Sequence, residues 1–279
     1  MMQEIHGIKY SQPKVVLLQE TGIGVAEMAA RTCYDSFEGS QNPTMQQLTN
    51  KMPDEEMCDA INTIEDSNLL NDLAWTHFHH SILEHANLSY LIRGTSRGVL
   101  QEHARHRIQA ISVRSTRYTM SSILNAFVAS QQALHSKEFF ISKILSFDMF
   151  VTNDEEYNKI EIGAMYDKLA YQAKKVENFE EIAIAKSSLS LLEHYANNAE
   201  ELFYALEAGK KKRNVGDAFK HIITDNVKVD MVITFNLRSL KNYFTLRNSG
   251  SAYFQIQWLA QEMMRVTPKK YLDLIIKQK

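Results

Sequence analysis

Apolar positions along the chain recur with two spacings, and these predict its elements. Lys14 to Glu20 (KVVLLQE) is a run of apolar residues that reads as a buried strand, followed by a turn at Gly22 and Gly24. Val25 to Tyr34 then carries its apolar residues on one side of a helix. Pro53 to Trp75 reads as one further helix, with Pro53 tolerated in the first turn and Asp54, Glu55 and Glu56 close to the positive N-terminus. ANLSYLI, from Ala86, is a strand candidate. Ser96 to His106 has helical spacing, and Ile111 to Thr119 is a strand of β-tolerant residues, with a turn between them. Residues 121–209 are helical in pattern through three successive segments. Val227 to Phe235 (VKVDMVITF) alternates as a strand does and leads into a helix that opens at Asn236.

Composition adds limits. At 279 residues, 44% hydrophobic and 23% charged, the chain has the make-up of a soluble globular protein, and one large domain over residues 1–279 is expected. The net charge of -2 does not advertise a nucleic-acid polymer or an anionic membrane. No apolar run reaches the ~20 residues of a membrane helix. The start, MMQEIHGIKY, has no signal-peptide core, so a cytoplasmic enzyme is expected. Cys33 and Cys58 make neither a disulfide framework nor a four-ligand metal site, and both are read as reduced thiols. The basic run Lys210 to Arg213 reads as a helix C-terminal cap before it reads as a nucleic-acid patch.

Positive charge is instead local. Six of the eleven arginines, Arg93, Arg97, Arg105, Arg107, Arg114 and Arg117, lie within one stretch that also holds His103 and His106, no lysine and one acid, Glu102. The planar guanidinium binds phosphate or carboxylate through two parallel hydrogen bonds, so an arginine-only cluster points to an anion held in fixed geometry. On a helix Glu102 shares a face with Arg105 and His106, and on a strand Val113, Ser115 and Arg117 share one side. The alternative is an exposed Glu102–Arg105 pair with the other arginines in solvent, and spacing leaves both readings open.

A second cluster, WTHFHHSILEH, gathers His77, His79, His80, Glu84 and His85. By composition this suggests a metal site, though it lacks HExxH spacing. In the last strong segment, Asn236 and Arg247 are eleven residues apart, which at ~100° per residue places them on one helical face. Asn236 equally suits an N-cap, and Arg247 a cation near the C-terminus.

The pattern RHR, seven residues, Ser115, then Arg117 and Tyr118 resembles the signature of the flavin-dependent thymidylate synthases, the ThyX family. His79-x-Ser81-x-x-Glu84-His85 is similar to the family's H-x-[ST]-x-x-E-H motif, and Asn236, Arg238, Ser239, Leu240, Asn242, Leu246 and Arg247 match its N-x-R-S-L helix. AARTCYDS, from Ala29, is similar to a shorter family motif. The resemblance implies an α+β fold, a twisted and mostly antiparallel sheet with packed helices, here with an additional helical section at 121–209. It implies a homotetramer with active sites between subunits. The reaction implied is dUMP and 5,10-methylenetetrahydrofolate to dTMP, with FAD reduced by NADPH. By resemblance Arg247 is catalytic; Glu102, Arg105, Ser115, Arg117, Lys220 and Arg247 hold dUMP. His79, Ser81, Arg105, His106, Arg107, Asn236, Arg238 and Asn242 hold FAD, and no metal is expected.

The chain also departs from the family pattern. Phe78 stands at a usual glycine, Val113 at a frequent glutamate, Ser112 at a frequent asparagine and Lys220 at a usual arginine, while SAYFQIQ replaces a histidine-containing segment. Two other functions predict different site use. A metal-dependent nucleotide hydrolase would employ His77, His79, His80, Glu84 and His85, and an RNA-binding module would employ the Arg93–Arg117 stretch with Tyr118.

Overall fold

The computed structural model describes residues 2–5, 8–119, 225 and 227–277. The helical pattern at 121–209, the basic run at 210–213 and Lys220 lie outside the described residues. The chain divides into two compact units, and the division falls inside three of the strands. The first holds 1–12, 94–101 and 113–230, and the second 13–93, 102–112 and 231–279.

In the first unit, β1 (Met2–Ile5) and β2 (Ile8–Ser11) form an antiparallel hairpin. Elsewhere in this unit Arg97 N–H donates to the Val227 carbonyl (3.1 Å), Arg114 N–H to the Asp230 carbonyl (2.8 Å), and Gly94 N–H to the Asp230 carboxylate (3.2 Å).

The second unit is built on a sheet with strand order β3-β4-β6-β5, where β3 is Lys14–Glu20, β4 Asn87–Ser96, β5 Ala110–Val113 and β6 Lys228–Asn236. With helices packed on an antiparallel sheet, the class is α+β. β3 is an edge strand, which corrects the expectation that it is buried. Val15 is buried, whereas Val16 and Leu18 are 54% and 52% exposed. A continuous apolar run does not say how many faces of a strand are covered. Among the described residues β3 pairs with β4 alone, and a bulge between Leu17 and Gln19 shifts its register.

α1 (Ile23–Tyr34) begins two residues earlier than its apolar spacing suggested, so Gly24 lies in its first turn. A β-carbon on Gly22 or Gly24 would come within 2.2 Å of the Asn62 or Ile61 carbonyl oxygen, so these glycines permit a backbone approach that no side chain allows. The single helix expected from Pro53 to Trp75 is two, α3 (Glu55–Asn62) and α4 (Asn68–Trp75), after the short α2 (Pro43–Gln47). Pro53 precedes the first of them. Asp54 caps α3 through Met57 N–H (2.9 Å), and Ser67 caps α4 through Leu70 N–H (3.3 Å). A Ser or Asp side chain that can satisfy the orphan amides of a new helix competes with continuing the old one.

The remaining helices among the described residues are α5 (Arg97–Ala104), α6 (Leu237–Arg247), α7 (Phe254–Val266) and α8 (Lys269–Ile275). The core of the second unit includes Leu88, Tyr90, Ile92, Ile233 and Phe235 from the sheet and Leu240, Tyr243, Ile256, Leu259 and Tyr271 from helices. Burial of each such side chain contributes about 1.5–3 kcal/mol. Its polar tips are satisfied: Tyr90 Oη lies 2.8 Å from Thr267 Oγ1, and Tyr271 Oη donates to the Thr21 carbonyl (2.8 Å).

Candidate active site

Two expectations about the arginine stretch need correction. α5 ends at Ala104, so Arg105 and His106 occupy a turn and do not share a helical face with Glu102. β5 ends at Val113, and Thr116 to Thr119 is helical, so Val113, Ser115 and Arg117 do not line one side of a strand. Thr119 closes that turn, donating its N–H (3.2 Å) and hydroxyl (2.9 Å) to the Ser115 carbonyl. A local side-chain bond of this kind outweighs β-propensity, which is a weak and context-dependent preference.

A cavity of about 870 Å³ in the second unit is walled by the turn Arg105 to Ile108, by one face of α6 and by the loop after α6. α6 is placed by its cap, with Asn236 Oδ1 accepting from Ser239 N–H at 2.8 Å. Its buried side is Leu237, Leu240, Tyr243 and Phe244, which leaves Arg238, Ser239, Asn242, Leu246 and Arg247 on the cavity. Ser249, Ser251 and Ala252 close one rim, and Glu84 comes from the 3-10 turn His80–His85.

Arg247 is the most enclosed cation of the site, with 16% of its side chain exposed. Its Nε donates to His106 Nε2 (2.9 Å), Nη1 to Glu102 Oε2 (2.9 Å) and Nη2 to the Glu102 carbonyl (3.1 Å). Glu102 therefore belongs first to Arg247. Its contact with Arg105 is longer, at 3.5 Å, and Arg105 is 73% exposed. Because His106 Nε2 accepts, the ring proton sits on Nδ1. Burial, and then the neighbouring Arg247, pull the His106 pKa down to about 4, so the ring is neutral at pH 7.

Beneath the turn lies a buried relay that spacing did not reveal. His103 Nδ1 is 3.1 Å from Tyr243 Oη and its Nε2 is 2.9 Å from Gln109 Oε1, while Gln109 Nε2 donates to the carbonyls of His103 (3.0 Å) and His106 (2.8 Å). Burial lowers the His103 pKa to about 4. Tyr243 stacks edge-on against both histidines, with centroids 5.0 and 4.8 Å away.

Of the residues expected to bind ligands, Arg105, His106, Arg107, Arg238, Asn242 and Arg247 meet at the cavity, and Glu102 touches it through Arg247. Asn236 stands at the N-cap. His79 and Ser81 are exposed and lie outside the cavity lining, five and three residues before Glu84, which pairs with Arg238 at 2.5 Å. Ser115 and Arg117 fall in the first unit. The histidine-rich segment is dispersed. His80 Nε2 lies 3.0 Å from both the Ala74 carbonyl and Lys241 Nζ, and no three His, Cys, Asp or Glu among the described residues are grouped to hold a metal ion. Phe78 adopts a φ of 56°, a left-handed conformation that glycine adopts without strain. No helix among the described residues is long and apolar enough to cross a membrane.

The family model described as thymidylate synthase complementing protein matches residues 16–271. The chain is 26% identical over 258 residues to a flavin-dependent thymidylate synthase of Helicobacter pylori, covering 92% of this chain and 95% of that protein. It is 27% identical over 260 residues to one of Campylobacter jejuni, covering 92% and 93%. The solved structure of thymidylate synthase X from Helicobacter pylori with FAD and dUMP superposes with a TM-score of 0.60 at 26% identity, over 95% of this chain and 97% of that one. By fold and by a match that spans nearly its whole length, the chain belongs to the thymidylate synthase complementing protein family, the flavin-dependent thymidylate synthases.

Proposed function

We propose that the protein converts dUMP to dTMP by reductive methylation, with 5,10-methylenetetrahydrofolate as carbon donor, FAD as hydride carrier and NADPH as the reductant of FAD. One observation carries the reading beyond family membership. The cavity gathers four arginines, Arg105, Arg107, Arg238 and Arg247, against two carboxylates, Glu84 and Glu102, with His106 neutral. An excess of two positive charges remains, carried by forks suited to phosphate, beside apolar Ile108 and Leu246. That donor set fits FAD and dUMP, each of which joins phosphate to a flat aromatic ring, and the volume is ordinary for a ligand site.

In this reading His106, Arg107, Arg238 and Asn242 hold FAD together with Arg105, His79, Ser81 and Asn236. Bound FAD supplies hydride chemistry that no side chain offers. Arg105, Ser115, Arg117 and Lys220 hold the nucleotide. Arg247 stabilises charge in the pyrimidine ring, and Glu102 and His106 hold its guanidinium still. A pre-oriented cation acts without reorganising at the moment of reaction. The active form is a homotetramer with sites between subunits, working in the cytoplasm.

The test is an absorbance spectrum of the purified protein incubated with FAD, then reduced anaerobically with NADPH with and without dUMP. A bound flavin band, perturbed by dUMP and bleached by NADPH, is expected. A protein that binds no FAD contradicts the reading.

A further inference from the structure

We propose that Gln109 is a positioning residue for the arginine-bearing turn, and that His103 and Tyr243 set the orientation of its amide. This rests on the proposed function in so far as the turn serves ligands. Residues 105–109 lie in neither helix nor strand, between α5 and β5, so no ladder holds them. One side-chain amide spans the turn instead, since Gln109 Nε2 reaches the His103 carbonyl before Arg105 and the His106 carbonyl before Arg107.

The orientation of that amide is forced. Carbonyl oxygens only accept, so both contacts require the NH₂ end, and Oε1 must face His103 Nε2 and take its proton. His103 Nδ1 is then a bare lone pair, which the Tyr243 hydroxyl fills as donor. His103 is fully buried, and its depressed pKa keeps this tautomer neutral at pH 7. Tyr243 lies on α6 one turn before Arg247. The relay thereby ties the turn to the helix whose guanidinium grips His106 and Glu102, on either side of Arg105. Every buried polar atom in it has a partner, and removing the Gln109 amide takes a donor from two carbonyls, leaving that of His103 with the His106 N–H alone.

Gln109→Glu separates the roles, because a carboxylate still accepts from His103 but donates to neither carbonyl. The experiment compares Gln109→Glu and Gln109→Ala with Gln46→Ala in the full chain. Gln46, on α2, is a comparable side-chain clamp away from the cavity, donating to a single carbonyl, that of Ser40, at 2.7 Å. Measured are the affinities for FAD and dUMP by flavin absorbance titration, the thermal midpoint, and hydrogen exchange at residues 105–108. The His106 amide, bonded to the His103 carbonyl at 3.1 Å, reports directly on the turn.

Both Gln109 variants are expected to lose about tenfold or more in dUMP affinity, as one or two lost hydrogen bonds imply, with exchange faster by a similar factor. Gln46→Ala should change neither. Tyr243→Phe, which removes only the distal hydroxyl, should move the same way by a few fold. Wild-type affinity and exchange in Gln109→Glu would overturn the proposal, as would equal losses in Gln46→Ala. If the wild-type protein itself binds neither FAD nor dUMP, the functional reading fails separately. Exchange then judges the turn, where acceleration supports the proposal and no change overturns it.

Discussion

A guanidinium with three of its five N–H groups engaged by one carboxylate, one carbonyl and one imidazole has little freedom left, and Arg247 is such a group. Arg247→Ala is expected to keep flavin binding and lose at least ~10²-fold in turnover, the usual scale for a removed electrostatic stabiliser. Steady-state kinetics with a flavin titration checks this, and wild-type turnover would remove Arg247 from the chemistry. His103 provides a pH signature. Its folded pKa of about 4 lies below the ordinary 6.5, so between these values the unfolded chain binds a proton that the folded chain does not. That stability is complete above pH 6.5 and is lost as pH falls towards 4, by up to ~1.4 kcal/mol per pH unit. His106 acts in the same direction. Urea unfolding at pH 7.5 and pH 5 should show the lower midpoint at pH 5, and His103→Gln a shallower difference. Of the cavity arginines, Arg105 and Arg107 were legible in the sequence because arginines clustered without lysine favour forked anion binding over a merely solvated face, whereas Arg238 and Arg247 were picked out only through the resemblance of their helix to the family motif. Gln109, His103 and Tyr243 were not recognised as one unit, because contacts between residues 140 apart leave no trace in local spacing.

Elements were legible where periodicity was sustained and misread where side-chain caps intervened. β4, β6 and the start of α6 follow their apolar spacing, and Asn236, which the resemblance assigns to FAD, fills the N-cap role that was its alternative reading. Asn236→Ala should therefore cost about 1 kcal/mol of stability, read from denaturant unfolding. The break between α3 and α4, and the helical turn replacing the end of β5, were set by Ser67 and Thr119 bonding to nearby backbone. The segment before His79 holds a bulky, exposed Phe78 in a left-handed conformation. Such strain costs of order 1–3 kcal/mol, so Phe78→Gly should raise the unfolding free energy by roughly that amount, less the entropic cost of glycine. A destabilised Phe78→Gly would show that the ring's packing against His80 outweighs the strain.

For the whole molecule, net charge concealed what mattered, because a chain with a total of -2 holds a cavity whose walls carry a positive excess. On one face of the sheet, among the described residues, Val16, Leu18 and Val232 are exposed. In the proposed tetramer such a face suits burial between subunits. Light scattering should give four times the 32.1 kDa of one chain, and Val16→Lys with Leu18→Lys should shift the mass downwards if that face is the contact. A tetrameric mass in the double variant would place the contact elsewhere. The central claim is the reaction itself, and it is tested most directly by incubating the protein anaerobically with dUMP, 5,10-methylenetetrahydrofolate, FAD and NADPH and identifying both products. When hydride comes from NADPH through the flavin, the folate is not oxidised, so dTMP and tetrahydrofolate are expected in equal amounts. Formation of dihydrofolate, or no dTMP at all, would contradict the account.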